Sequence, residues 1–225
     1  MKEYFKKHVI YFNNRQFLIP FFVSLGMIIV ANVINFYAGT YATVHASGSV
    51  TDIILNNIRA YDVDGVFLYG TLIFWGFLII TWLHHIERLP FAVKTLSLFI
   101  VIRSIFITLT HIGPFPTQIP IAANFFLSKF SFGGDLFFSG HTGIPFLFAL
   151  IFWDMPILRY TFIACSLFFG TVVLLGHLHY SIDVLSAFFI TFSVYQMAKV
   201  FFKKDFEFAQ KERVVVAGAK GIPAN

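Results

Sequence analysis

Six stretches of the chain are apolar for about the 20 residues that a helix needs to cross a hydrocarbon layer roughly 30 Å thick. They run Phe17–Phe36, Val66–Leu83, Thr95–Ile112, Leu136–Trp153, Ile157–Leu175 and Ile182–Phe202. In lipid no water is at hand for the backbone, and a helix satisfies its N–H and C=O groups within one segment. The expected fold class is therefore all-α: a polytopic integral membrane protein built as a six-transmembrane-helix bundle. Composition points the same way. Hydrophobic residues make up 58% of the chain and charged residues 12%, with a mean hydropathy of +0.79. Soluble domains carry about 25% charged residues.

The basic residues set the orientation. Of the 16 Lys and Arg residues, all but Arg59, Lys129 and Arg103 fall before the first span, in the second and fourth connections, or at and after the end of the sixth span. The positive-inside rule places those regions, and so both termini, in the cytoplasm; an even number of spans requires the same. The net charge of +5 then reports topology, and no nucleic-acid partner is expected. The first apolar run is full length, so it reads as a retained span and not a cleaved signal. The expected organisation is a cytoplasmic segment over 1–16, a membrane domain over 17–202, and a cytoplasmic tail over 203–225 without fixed structure. Glu87 and Arg88 read as a solvated pair of little energetic weight. Asn32 and Asn35 read as hydrogen-bonders between helices.

On this topology the unusual polar groups gather at one membrane face. Arg103 lies in the outer half of the third span and His111 at its outer end. Asp135, Ser139 and His141 open the fourth span from outside, and His177, His179 and Asp183 lie where the fifth meets the sixth. An ionisable residue inside a span costs about 2.5–3.5 kcal/mol, so three such groups of residues converging on one face point to a shared site. His179 and Asp183 are spaced i, i+4, as on one face of a helix. A carboxylate there takes the proton of one imidazole nitrogen, fixes the tautomer and leaves the other nitrogen nucleophilic. In "GGDLFFSGHTG", Gly133 and Gly134 free the backbone, and Ser139 with Gly140 starts a helix. Its unpaired N–H groups suit a phosphate, and Gly140 lets the backbone approach closely. Arg103 adds a bidentate donor for phosphoryl oxygens, and His141 stands where it can protonate a leaving oxygen. Phosphoryl transfer is sufficient with these parts, so no metal and no cofactor are expected.

With these residues in view, "DLFFSGHTG" resembles the second signature of the type 2 phosphatidic acid phosphatase (PAP2) superfamily, and "HLHYSIDV" resembles its third. "GGDLFFSGHT" and His-x-His-Tyr-Ser-Ile-Asp-Val are more closely similar to the sphingomyelin synthase branch and its ceramide phosphoethanolamine and inositol phosphorylceramide relatives. The first phosphatase signature, Lys, six residues and Arg-Pro, is absent: Val101 stands where its Arg would be, and Arg103 is followed by Ser104. "RSIFITLTHIGPFP" instead resembles the Arg-containing third span and Pro-rich loop of the sphingomyelin synthase branch. Of that branch's Leu-Pro-Asp signature after span one, "SVTDIILNN" keeps Asp52. The resemblance implies six spans, cytosolic termini and a site on the extracytoplasmic face. It implies that His179 attacks the phosphodiester to form a phosphohistidine, that Asp183 orients it, and that His141 assists the leaving group and the second transfer. Arg103, Ser139 and Gly140 are then the phosphate-binding candidates, with Asp135, His177 and His111 as secondary ones.

The expected partners follow: a phospholipid donor, the bilayer, and a lipid alcohol such as ceramide or diacylglycerol, or water, as acceptor. Transfer and hydrolysis differ only in that acceptor, so a PAP2-type phosphatase or phospholipase C-like hydrolase is the alternative. Two further classes stay open. One is a metalloenzyme using His111, His141, His177, His179 and Asp183; the other is a transporter or scaffold whose polar groups line a path. The compact length leans toward a bacterial inner membrane over a Golgi or plasma membrane, and a homo-oligomer stays open.

Overall fold

The computed structural model describes residues 8–119 and 135–219, with side chains to residue 211. Gly133, Gly134 and Lys129 lie outside the described residues. Among those described there is no strand. Helices α1 (Arg15–Val44), α2 (Asp64–His84), α3 (Leu89–Leu109), α4 (Gly140–Ile151), α5 (Pro156–Leu175), α6 (Ser181–Phe201) and α7 (Lys203–Ala219) follow in order. Five of them, α1, α2, α3 with the 3-10 turn before it, α5 and α6, are long and apolar enough to cross a membrane.

The bundle is organised around α3, of whose most apolar window 56% is buried, against 17% for α1 and α2. Its long neighbour α1 buries Phe17, Ser24, Ala31 and Ala38, one residue every seven, and then Gly39 and Ala42. Small residues on a seven-residue period let two helix backbones run close together for several turns. Helix α4 packs against α5 and α6 on the other side of α3. A Cβ on Gly143 of α4 would lie 2.7 Å from Phe99 Cζ and 2.9 Å from Thr191 Oγ1. Only a glycine admits α3 and α6 this close to α4. The outer faces of α1, α2 and α6 present large apolar side chains such as Ile29, Ile73 and Phe189, as a lipid-facing surface requires.

Four features differ from the sequence-based expectations. The fourth apolar stretch, Leu136–Trp153, holds a helix of only 12 residues, about 18 Å long and short of the roughly 30 Å hydrocarbon core. Residues 135–139 are consumed instead by a turn in which Phe137 adopts φ 124, a conformation rare outside glycine. The tail expected without structure is helical over Lys203–Ala219. Its first turns dock: Lys94 Nζ donates to Asp205 Oδ2 at 2.6 Å, Phe206 packs on Phe91, and Phe208 meets Tyr11 and Phe17. Asn32 donates to Ile28 O within its own helix and makes no bond between helices among the described residues.

The fourth difference concerns Arg88, which is no surface residue. The connection from α2 to α3 is a single 3-10 turn, Ile86–Arg88, too short to carry side chains out to water. Arg88 is 2% exposed. It forks onto Asp154 at 2.8 and 2.6 Å and caps α4 through Ile151 O at 2.8 Å. This bidentate pair closes the end of the bundle away from the polar cluster. Truncating one partner of a buried pair leaves the other charge uncompensated. Arg88→Ala is therefore expected to cost about 3–5 kcal/mol, read as a shift of the unfolding midpoint in detergent. A shift of less than about 1 kcal/mol, the scale of a surface pair, would return Arg88 to the solvated class.

Candidate active site

The site is built where α3, α4, α5 and α6 meet the loop between α1 and α2. Helix α5 ends in a Schellman cap: His177 N donates to Leu174 O at 3.0 Å and Leu178 N to Val173 O at 2.8 Å. The residue at this cap position turns left-handed, usually as glycine. Here it is His177, at φ 53. The turn delivers His179 to the mouth of α6, one residue ahead of Tyr180 and the helix start at Ser181.

His179 Nδ1 lies 3.1 Å from Asp183 Oδ2. The same oxygen accepts from Tyr180 N at 3.1 Å. Asp183 is thus the N3 residue that caps α6 and the partner of His179 at once. His179 stands outside the helix, so the two do not share a helical face; the chain bends back over the first turn of α6. A carboxylate only accepts, so the Nδ1 that faces it carries a proton. Asp183 is fully buried and His179 is 7% exposed. Asp183 Oδ1 has no hydrogen-bond partner among the described residues.

Asp183 also reaches α4. Its backbone oxygen accepts from Ser139 N at 2.9 Å, which fixes the start of α4 beside the start of α6. Ser139 is the N-cap of α4, with its hydroxyl accepting from Thr142 N at 3.4 Å. The N–H groups of Gly140 and His141 are then left without intrahelical acceptors. Arg103, from α3, packs on this helix start: a Cβ on Gly140 would sit 3.4 Å from its Nε. Arg103 Nε donates to Phe138 O at 3.3 Å, and Nη2 to Asp135 O at 2.9 Å and Asp135 Oδ2 at 2.8 Å. His141 lies within electrostatic range of both His179 and Arg103, with its ring 4.4 Å from that of Phe67. The structure therefore brings Arg103, Asp135, Ser139, Gly140, His141, His179 and Asp183 together.

Two sequence candidates fall elsewhere. His111 packs edge-on against Tyr41 and tilted against His45 at the end of α1, and no contact among the described residues joins it to His141, His179 or Arg103. His177 bonds Thr117 Oγ1 through Nδ1 and packs edge-on against Phe115. Burial pushes the His177 imidazole below its ordinary value, partly opposed by Asp52. It borders a cavity of about 560 Å³ with Asn56, Arg59 and Thr117 on the loop side. Among the described residues, no group of three or more His, Cys, Asp or Glu is arranged to hold a metal ion.

Sequence reasoning missed the clamp that holds this corner. The loop after α1 is pinned by Ser47 N to His111 O at 2.7 Å and Gly113 N to Gly48 O at 3.1 Å. Tyr180 OH donates to Gly113 O at 2.8 Å and accepts from Val50 N at 3.3 Å. Asp52 is the knot. Oδ1 accepts from Ile54 N and Leu55 N at 2.8 and 3.0 Å, and Oδ2 accepts from Ser181 N at 2.7 Å. The only signal for it in the sequence was its survival in an otherwise divergent motif. Burial opposes ionisation of Asp52, and the bonds from Leu55, Ser181 and Ile54 outweigh burial and hold its carboxyl below the usual carboxylate range.

Residues 133–200 match the PAP2 superfamily C-terminal family model. The match spans α4, α5 and all but the last residue of α6, and so both signatures and all the clustered residues except Arg103 and Asp52. It supports the PAP2 superfamily, and with it a lipid enzyme of the phosphatase or phosphotransferase type. No curated protein and no solved structure matches the chain.

Asp52 yields a signed prediction. A carboxyl whose folded pKa is lowered contributes stability above its unfolded pKa, and that contribution is lost as pH falls through the folded value. Asp52→Asn faces a donor toward donors and is expected to cost about 1.5–3 kcal/mol at pH 7. The gap between variant and wild type should close as pH falls below 3.8. A gap independent of pH, measured by unfolding in detergent, would contradict the charged bonds.

Proposed function

We propose that this chain is an integral-membrane lipid phosphotransferase of the sphingomyelin synthase-like kind, moving a phospho-headgroup from a phospholipid to a lipid alcohol such as ceramide or diacylglycerol. The carrying observation is the His179–Asp183 pair set beside His141, Arg103 and the open N-terminus of α4. In this reading all six apolar segments traverse or enter the bilayer, both termini are cytoplasmic, and the site faces the extracytoplasmic side. The basic termini and connections support that orientation.

The reaction runs in two displacements. His179 Nε2 attacks phosphorus, an N–P bond forms, and the P–O bond to diacylglycerol breaks. His141 gives its proton to the departing oxygen. The hydroxyl of the acceptor then attacks phosphorus, its proton passes to His141, and the N–P bond breaks to restore His179. Asp183 keeps the Nδ1 proton in place and balances the charge that His179 acquires. Arg103 and the N–H groups of Gly140 and His141 stabilise the phosphoryl oxygens, and Ser139 fixes the helix start that presents those groups. With water as acceptor the same site is a phospholipase C-like or phosphatase-type hydrolase; the pocket chemistry is common to both.

The protein in lipid nanodiscs, given headgroup-labelled phospholipid with and without ceramide, separates the two readings. Label on a new lipid marks transfer, and free headgroup phosphate marks hydrolysis. His179→Ala should abolish turnover and the acid-labile phospho-protein while leaving the folded state intact. His141→Ala should lower turnover by about 10²–10⁴-fold. Retained turnover in folded His179→Ala would remove the nucleophile.

A further inference from the structure

We propose that Asp135 is a charge-selectivity residue. Resting on the reading above, its carboxylate occupies Arg103 before substrate arrives and biases the site toward singly charged phosphodiesters, against doubly charged phosphate monoesters.

Arg103 is 8% exposed, so its charge is partly desolvated and its partners matter more than those of a surface arginine. Three acceptors from one short turn converge on it: Phe138 O on Nε, and the backbone and side-chain oxygens of Asp135 both on Nη2. The turn that makes this convergence holds Phe137 at φ 124, a strained conformation that persists only where its surroundings impose it. Phe137 is held from the other side by stacking on Phe106, with ring centroids 5.3 Å apart. No described residue accepts from Nη1.

Asp135 does not cap α4, because Ser139 does. It makes no contact with either catalytic-candidate imidazole among the described residues. Its carboxylate is the more exposed half of the ion pair, at 21% against 10% for the arginine side chain. It therefore stands on the more exposed side of the guanidinium that packs against the α4 start. Among the described residues, the cluster holds two carboxylates, Asp135 and Asp183, and one guanidinium. A phosphate group entering here either displaces Asp135 from Nη2 or binds beside it. In both cases each negative charge on the ligand meets the Asp135 carboxylate at close range. A phosphodiester brings one such charge. A monoester, with a second ionisation near pH 6, brings two at pH 8.

The test uses the full-length protein in detergent or nanodiscs. Inorganic phosphate and dimethyl phosphate are the probes for binding at pH 8, and phosphatidate and a phosphodiester phospholipid are the substrates. Asp135→Asn keeps the shape of the side chain and removes the charge. It should tighten inorganic phosphate binding by about tenfold, and shift the ratio of KM for phosphodiester to KM for phosphatidate by about tenfold in favour of phosphatidate, the scale of one removed like charge at a partly buried site. Asp135→Glu should hold the wild-type ratio. Weaker or unchanged phosphate binding in Asp135→Asn would show that Asp135 only orients Arg103, and would overturn the proposal. If Asp135→Asn does not fold, wild type alone decides. Dimethyl phosphate should bind more tightly than inorganic phosphate, and the reverse order overturns the proposal. Wild type that turns over no phospholipid would count against the transferase reading, while the order of anion binding would still judge Asp135.

Discussion

A single buried carboxylate joins the parts of this molecule that matter. Asp183 accepts from His179 Nδ1 and from Tyr180 N, and its backbone oxygen takes Ser139 N. One residue thereby caps α6, fixes an imidazole tautomer and ties the start of α4 to the start of α6. Without that tie, His179 is a loop residue beside a helix, its imidazole without a fixed orientation. Asp52 reinforces it from a distant segment by gripping Ser181 N, so the first turn of α6 is held from three sides. The arrangement suits a membrane setting, where each buried polar group needs a partner and is costly without one.

Depth follows from the short helix. Arg103 stands six residues before Leu109, the last residue of α3, which puts it about 9 Å below the end of that helix. Helix α4 begins at this level, where a Cβ on Gly140 would lie 3.4 Å from Arg103 Nε, so its first N–H groups lie beside the guanidinium. In the proposed reaction a lipid-borne phosphorus reaches this level with its acyl chains still among the apolar faces of the bundle. A full-length fourth span would have filled the place where the phosphate is proposed to sit.

How much of this was legible in the sequence depended on whether a signal was local. Apolar runs of helical length announced the long helices because lipid imposes a length and a polarity on every spanning segment. The spacing of His179 and Asp183 announced a pair, although the pair forms across a helix cap and not along a helix. Ser139 followed by Gly140 announced a helix start, which the strained turn at Phe137 then moved inward. The partners of Arg88, Asp52 and Asp135 were illegible. Arg88 and Asp154 are 66 residues apart, Asp52 and Ser181 are 129 apart, and nothing in either neighbourhood names the other. The docked turns of α7 escaped notice because a tail rich in charge reads as solvated until Asp205 finds Lys94 and Phe206 finds Phe91. His177 was visible as an unusual residue, but its position reflects the cap of α5, a backbone demand that side-chain chemistry does not reveal.

In the proposed reaction phosphorus passes through a bond to His179, and the stereochemistry at phosphorus records whether it does. Each in-line displacement inverts the configuration. A phospholipid made chiral at phosphorus with oxygen isotopes, turned over in the presence of its acceptor, should therefore give a product with overall retention. Overall inversion would mean a single direct displacement by the acceptor, and would contradict the account of His179 as nucleophile.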